Sequence, residues 1–133
     1  MENSILGLAH VGFTVTDIQV SKQFYCDVLG FDLTYEYALA KESGDVKLAF
    51  LSCGDCAIEL VEPPNSQPRT AGPVDHLSLR VRDIDTVKAA LDARGVQFET
   101  ETIHHVTDLF PNGSRWIFFR GPDGERLEIN EIL

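Results

Sequence analysis

The stretch His10-Val11-Gly12-Phe13-Thr14-Val15-Thr16-Asp17-Ile18 decides the fold, because its pattern recurs later as His76-Leu77-Ser78-Leu79-Arg80-Val81-Arg82-Asp83-Ile84. In each copy apolar residues recur at every second position, which is typical of a strand with one buried face. Each copy then reaches Asp-Ile, where the aspartate can cap a helix. A strand-to-helix unit that occurs twice predicts an internal repeat.

The rest of each half follows the same order. A helix is predicted from about Ile18 to Leu29, ending at Gly30, and another from about Asp85 to Arg94, ending at Gly95. Three further strands are predicted after each helix: Phe31–Ala38, Val46–Ser52 and Cys56–Glu62, then Val96–Ile103, Arg115–Arg120 and Arg126–Ile132. The sequence therefore predicts an α+β fold of two tandem βαβββ modules, over about 6–62 and 74–133, with a proline-rich linker over 63–73.

Glu59 and Glu128 occupy matching places in the last strand of each half, since Ala57–Glu62 corresponds to Arg126–Glu131. The residues on either side of each glutamate are apolar and are expected to face the helix, so that the histidines and glutamates face away from it. Two curved sheets would then enclose a shared cleft. Ionisable groups in a partly dry cleft are costly without a compensating cation. The pattern predicts one metal site formed by His10, Glu59, His76 and Glu128.

Composition narrows the class of protein. The 133 residues are 44% hydrophobic and 24% charged, which suits one compact domain or two small modules that share an interface. The net charge of −10 disfavours nucleic acid and anionic membrane surfaces as partners. No apolar run is long enough to cross a bilayer, and Met1–Ser4 lacks the features of a signal peptide. We therefore expect a cytoplasmic protein.

Two short motifs have a structural and a functional interpretation. Cys53-Gly54-Asp55-Cys56 matches a C-x-x-C string, but it lies between two predicted strands and is interpreted as a hairpin turn. His104-His105 is expected in a loop, either over the cleft or simply on the surface. Adjacent residues at a strand end point in opposite directions, so both histidines are not expected to reach one metal.

Several of these segments resemble the vicinal-oxygen-chelate superfamily of glyoxalases, bleomycin-resistance proteins and dioxygenases. The resemblance covers nearly the whole chain and is carried by Leu8–Ile18, Phe24-Tyr25, Leu29–Phe31, Phe119–Gly124 and Leu127–Ile129. It implies paired βαβββ modules, a divalent metal, and small-molecule substrates that chelate the metal through adjacent oxygens. It also implies a homodimer, which is common in the superfamily.

Two histidines and two glutamates at these places are most similar to glyoxalase I (lactoylglutathione lyase). This resemblance implies a metal-dependent lyase or isomerase in which His10, Glu59, His76 and Glu128 ligate nickel, cobalt or zinc, with iron or manganese less expected. Glu59 and Glu128 would move a proton alpha to a carbonyl through a metal-bound enediolate. No organic cofactor is required.

The chain departs from glyoxalase I where bacterial glutathione-type enzymes carry an Arg four residues after the first His and an Asn four residues after the first Glu. Thr14 and Pro63 stand there instead, so a glutathione adduct is not assigned as substrate. Arg80 or Arg115 could contact an anion, or each could be a solvated surface residue. The alternatives are a metal-dependent epimerase or dioxygenase of the same superfamily, or a non-catalytic protein that sequesters a drug-like ligand.

Overall fold

The computed structural model describes residues 4, 6–68 and 72–133. The chain divides into two compact units, Met1–Arg69 (the first unit) and Thr70–Leu133 (the second unit). Two sequence predictions fall partly outside the described residues: the absence of a signal peptide at Met1–Asn3, and the linker at Arg69–Ala71. The described linker residues Pro63–Pro68 form neither helix nor strand.

The first unit is a four-stranded sheet with a helical segment packed on it. Its elements are β1 (Val11–Thr14), α1 (Ile18–Gln23), a π-helical turn (Phe24–Val28), β2 (Asp32–Leu39), β3 (Val46–Cys53) and β4 (Cys56–Glu62). The strand order is β1-β4-β3-β2, in which β1 runs parallel to β4 and the other pairs are antiparallel.

The second unit repeats this arrangement. Its elements are β5 (Leu77–Arg80), α2 (Ile84–Ala93), β6 (His104–Val106), β7 (Ser114–Arg120) and β8 (Arg126–Ile132). The strand order is β5-β8-β7-β6, with β5 parallel to β8 and the other pairs antiparallel. The two units confirm the predicted α+β fold and its βαβββ repeat.

Both helices begin with the same two carboxylate contacts. The side chain of Asp17 accepts hydrogen bonds from the first turn of α1, and the side chain of Asp83 does so for α2. A glutamate at the end of the last strand adds a second acceptor: Glu62 accepts from the Ile18 N–H at 2.7 Å, and Glu131 accepts from the Asp83 N–H at 2.8 Å. These bonds attach each helix N-terminus to its sheet.

The core of each unit lies between the helix and one face of the sheet. Ile58 and Leu60 of β4 are fully buried, as is Leu127 of β8, and Ile129 is nearly so. Because side chains alternate along a strand, Glu59 and Glu128 point to the opposite face. The predicted orientation of both glutamates, away from the helix, follows from this burial.

The predicted strand Val96–Ile103 is wrong, and so is the loop predicted at His104-His105. Phe98 forms one isolated bridge with Phe119, and pairing resumes only where His104 lies opposite Trp116. The segment from Phe98 to His104 is longer than the segment of β7 that lies opposite it. Its extra residues leave the sheet around Thr100–Thr102. The strand forms where pairing resumes, at His104–Val106.

The hairpin at Cys53–Cys56 is confirmed, and its thiols are free.

Candidate metal site

The first unit brings His10 and Glu59 together. Glu59 lies on β4 opposite Gly12 of β1, and His10 directly precedes that strand. The Nε2 atom of His10 is 3.9 Å from Oε2 of Glu59. The imidazole meets the ring of Phe50 edge to face, with centroids 5.4 Å apart. In the described part of the chain, no donor hydrogen-bonds to the Glu59 carboxylate.

The second unit brings His76 and Glu128 together in the same way. Glu128 lies on β8 opposite Ser78 of β5. Ser78 follows His76 by two residues. The Nε2 atom of His76 is again 3.9 Å from the nearest carboxylate oxygen of Glu128. The imidazole again meets a phenylalanine edge to face, here Phe118, at a centroid distance of 5.1 Å.

Glu128 is held by hydrogen bonds that Glu59 does not have. The Ser78 hydroxyl donates to Oε1 of Glu128 at 2.6 Å, and the Asn130 amide donates to the same oxygen at 3.2 Å. The buried Ser114 hydroxyl donates in turn to the Asn130 carbonyl oxygen at 2.7 Å, which orients the amide. The side chain of Glu128 is 7% exposed and that of Glu59 is 21% exposed.

His76 is also held on its other ring nitrogen. Its Nδ1 lies 2.7 Å from Oδ2 of Asp75, and Arg126 donates to the same oxygen at 3.1 Å. The hydrogen bonds from His76 and then from Arg126 lower the pKa of Asp75. Asp75 is therefore a carboxylate that only accepts hydrogen bonds at neutral pH.

Each pair fits a divalent cation by the chemistry and the spacing of its donors. Imidazole nitrogen and carboxylate oxygen bind such metals at about 2.0–2.2 Å, so two donors on one ion lie about 3 Å apart when they are at right angles and at most about 4.4 Å apart when they are on opposite sides. The 3.9 Å in each pair is within that limit. Over the residues that the structure describes, no group of three or more His, Cys, Asp or Glu side chains that could hold a metal is found. The predicted single site of all four ligands stays a prediction.

Several contacts around these pairs were not predicted from the sequence. Ser78 and Asn130 lie two residues from His76 and Glu128, so strand alternation alone indicates that they share the ligand face. Asp75 precedes β5, where no periodicity fixes its direction. Arg115 makes two hydrogen bonds with Asp85, which supports its interpretation as a surface residue. Arg80 shares the face of Glu128 and is exposed.

A model of the Glyoxalase/Bleomycin resistance protein/Dioxygenase superfamily matches residues 7–129. The chain belongs to this superfamily. It is 39% identical over 130 residues to the uncharacterised protein YaeR of Escherichia coli (strain K12), with 92% of this chain and 93% of that protein covered. No helix in the described residues is both long and apolar enough to pass through a membrane.

Two of the relatives have a named activity. The chain is 29% identical over 143 residues to a 2-epi-5-epi-valiolone epimerase of Actinomyces sp., covering 90% of this chain and 76% of the epimerase. It is 30% identical over 129 residues to a probable lactoylglutathione lyase of Synechocystis sp., covering 92% of each. A solved structure of a glyoxalase family protein from Enterococcus faecalis has a TM-score of 0.75 at 27% identity, covering 94% of this chain and 97% of that one.

Proposed function

We propose that this protein is a divalent-metal-dependent isomerase or lyase of the glyoxalase I type. Its metal ligands are His10, Glu59, His76 and Glu128, which meet either within one chain or across a homodimer. The observation that carries the proposal is the repeated His–Glu pair, with the same 3.9 Å between donor atoms in both units. Nickel, cobalt and zinc are the metals that the donor set favours, and the protein is cytoplasmic.

The two glutamates are the catalytic residues of the proposed reaction. When bound, the divalent cation polarises adjacent oxygens of a substrate and makes a neighbouring C–H more acidic. One carboxylate removes that proton, and a carboxylate returns a proton to the neighbouring carbon. Glu59 has no hydrogen-bond donor in the described residues, so it can turn towards a substrate without breaking a bond.

The proposed substrate class follows from the chemistry of the metal and not from any contact that would bind glutathione. The substrate is a small molecule with adjacent oxygens, next to a carbon that gives up a proton. Thr14 and Pro63 offer neither a guanidinium nor a side-chain amide for the carboxylates of glutathione. We therefore propose a substrate other than a glutathione adduct.

Metal content and proton exchange test this proposal together. Protein purified without chelator after growth with nickel, cobalt or zinc should contain near-stoichiometric metal by elemental analysis. It should then isomerise hemithioacetals of several thiols, or incorporate solvent deuterium next to the carbonyl of an α-hydroxyketone. The variants Glu59→Gln and Glu128→Gln should lose this exchange, whereas Glu42→Gln, in an exposed loop, should keep it. Absence of metal under every condition would contradict the proposal.

An epimerase is the second candidate, favoured by the named relative from Actinomyces. It would use the same two glutamates, one to remove a proton from a carbon and the other to return it on the opposite face. Inversion of a stereocentre, with solvent deuterium at that same carbon and the carbonyl left in its original position, distinguishes this outcome. Oxygen uptake with a catechol would instead indicate a dioxygenase.

A further inference from the structure

Within the described residues, the hydrogen bond that His76 makes with Asp75 has no counterpart at His10. We propose that Asp75 is a positioning residue, held by Arg126, which fixes the His76 imidazole with Nε2 available to the metal. This makes the second unit the preorganised half of the metal site. The inference rests on the proposed function, because it assigns a role towards the same metal.

The hydrogen bond from His76 to Asp75 fixes the tautomer. A carboxylate can only accept, so the Nδ1 atom at 2.7 Å from Asp75 must carry the proton. The neutral ring then has its lone pair on Nε2. That nitrogen faces Glu128 at 3.9 Å. The lone pair is therefore directed to the side where the second metal donor lies.

Arg126 keeps Asp75 in place. The side chain of Asp75 is 69% exposed and would otherwise exchange its partner for water. Arg126 donates to it at 3.1 Å and also donates to Glu99 at 2.9 Å. The guanidinium carbon of Arg126 lies 3.7 Å from the ring centroid of Phe118, the ring that the edge of His76 meets. The same arginine thus contacts both the acceptor and the aromatic neighbour of His76.

The first unit has small side chains at both corresponding positions. Ala9 precedes His10 where Asp75 precedes His76, and Ala57 stands on β4 where Arg126 stands on β8. No hydrogen bond to the His10 ring is present within the described residues. His10 must therefore lose more rotational freedom when it binds a metal, and its tautomer is not selected in advance.

Removal of the Asp75 carboxylate tests this role. In the full-length protein, Asp75→Ala should weaken binding of zinc or nickel by about 10–100-fold, measured by competition with a chromophoric chelator. The matched control Asp45→Ala, an exposed loop aspartate, should leave the affinity unchanged. Asp75→Asn keeps an acceptor oxygen, so its metal affinity should stay close to that of the wild type.

Nitrogen NMR of the metal-free protein gives a readout that does not depend on metal binding. With the imidazole neutral, His76, assigned through a His76→Gln spectrum, should show the Nδ1–H tautomer in the wild type. In Asp75→Ala it should shift towards Nε2–H. Unchanged tautomer or unchanged metal affinity in Asp75→Ala would overturn the inference. Wild-type protein that binds no metal would instead contradict the proposed function, and the tautomer would still decide whether Asp75 positions the ring.

Discussion

The two units share a backbone and a His–Glu pair but differ in what surrounds the pair. Both pairs have 3.9 Å between their donor atoms, and both histidines meet a phenylalanine edge to face. In the second unit, polar side chains hold the histidine and the glutamate, whereas the corresponding residues of the first unit are small or apolar. The corresponding residues are Ala9 and Asp75, Gly12 and Ser78, Ala57 and Arg126, and Val61 and Asn130.

This difference shows that a repeat can preserve a His–Glu pair while the hydrogen bonds around the pair diverge. Glu128 is buried, and turning it away from its two donors would leave its carboxylate without a hydrogen-bond partner, at a cost of about 1–3 kcal/mol. In the described part of the chain Glu59 has no such bond to lose, and Gly12, which lies opposite it, has no side chain that could donate one. In the proposed metal site, the second unit would provide the donor pair that is held in place, and the first unit the pair that can turn towards a substrate.

The largest expected effect concerns what the units have in common. Leu60→Ala and Leu127→Ala each remove a fully buried side chain between helix and sheet. Each should lower the free energy of unfolding by about 2–5 kcal/mol, measured by urea denaturation. A loss in only one of the two variants would contradict the equivalence of the two cores.

The next effect separates the two histidines. His76→Ala should weaken divalent-metal binding by more than about 100-fold. It removes a proposed ligand, and loss of the hydrogen bond between Asp75 and that ligand is already expected to weaken binding by up to about 100-fold. His10→Ala should weaken it less, because His10 is not preorganised. Chelator competition on both variants measures the difference, and equal losses would remove the distinction between fixed and adaptable halves.

A smaller effect is expected at the amide that holds Glu128. Asn130→Val copies the residue of the first unit and removes a donor to Glu128 and an acceptor for Ser114. It should destabilise the fold by about 1–3 kcal/mol, because the buried Ser114 hydroxyl loses its partner. The double variant Asn130→Val with Ser114→Val removes both polar groups and should recover part of that loss in thermal unfolding.

The smallest expected effect tests the helix attachments. Glu62→Ala and Glu131→Ala each remove an acceptor from a helix N-terminus. Each should cost about 0.5–2 kcal/mol, as for the loss of a capping side chain. The two losses should be about equal, because each glutamate also lies near a cation: Glu62 is 3.3 Å from Lys47 and Glu131 is 3.7 Å from Arg115. A loss in only one of the two variants, measured by urea denaturation beside Asp45→Ala as control, would contradict the equivalence of the two attachments.

The repeat and the orientation of the two glutamates could be predicted because both depend on local patterns. Alternation fixes the face of Glu59 and Glu128, and a capping aspartate followed by an apolar stripe fixes each helix start. The strand at His104–Val106 could not be predicted, because it depends on where the chain re-enters pairing with β7. Asp75 was missed for a similar reason: its hydrogen bond to Arg126 joins residues that are distant in sequence.

The last strand of each unit carries one glutamate on each of its faces. Glu59 and Glu62 are separated by an odd number of positions, as are Glu128 and Glu131, so one faces the histidine while the other contacts the helix N-terminus. If β4 or β8 slipped by one residue during folding, both carboxylates would change faces at once. The helix would then lose its acceptor whenever the histidine lost its partner. The register that gives each helix its glutamate acceptor is therefore the same register that places the other glutamate beside its histidine, so folding and the proposed metal site depend on one alignment.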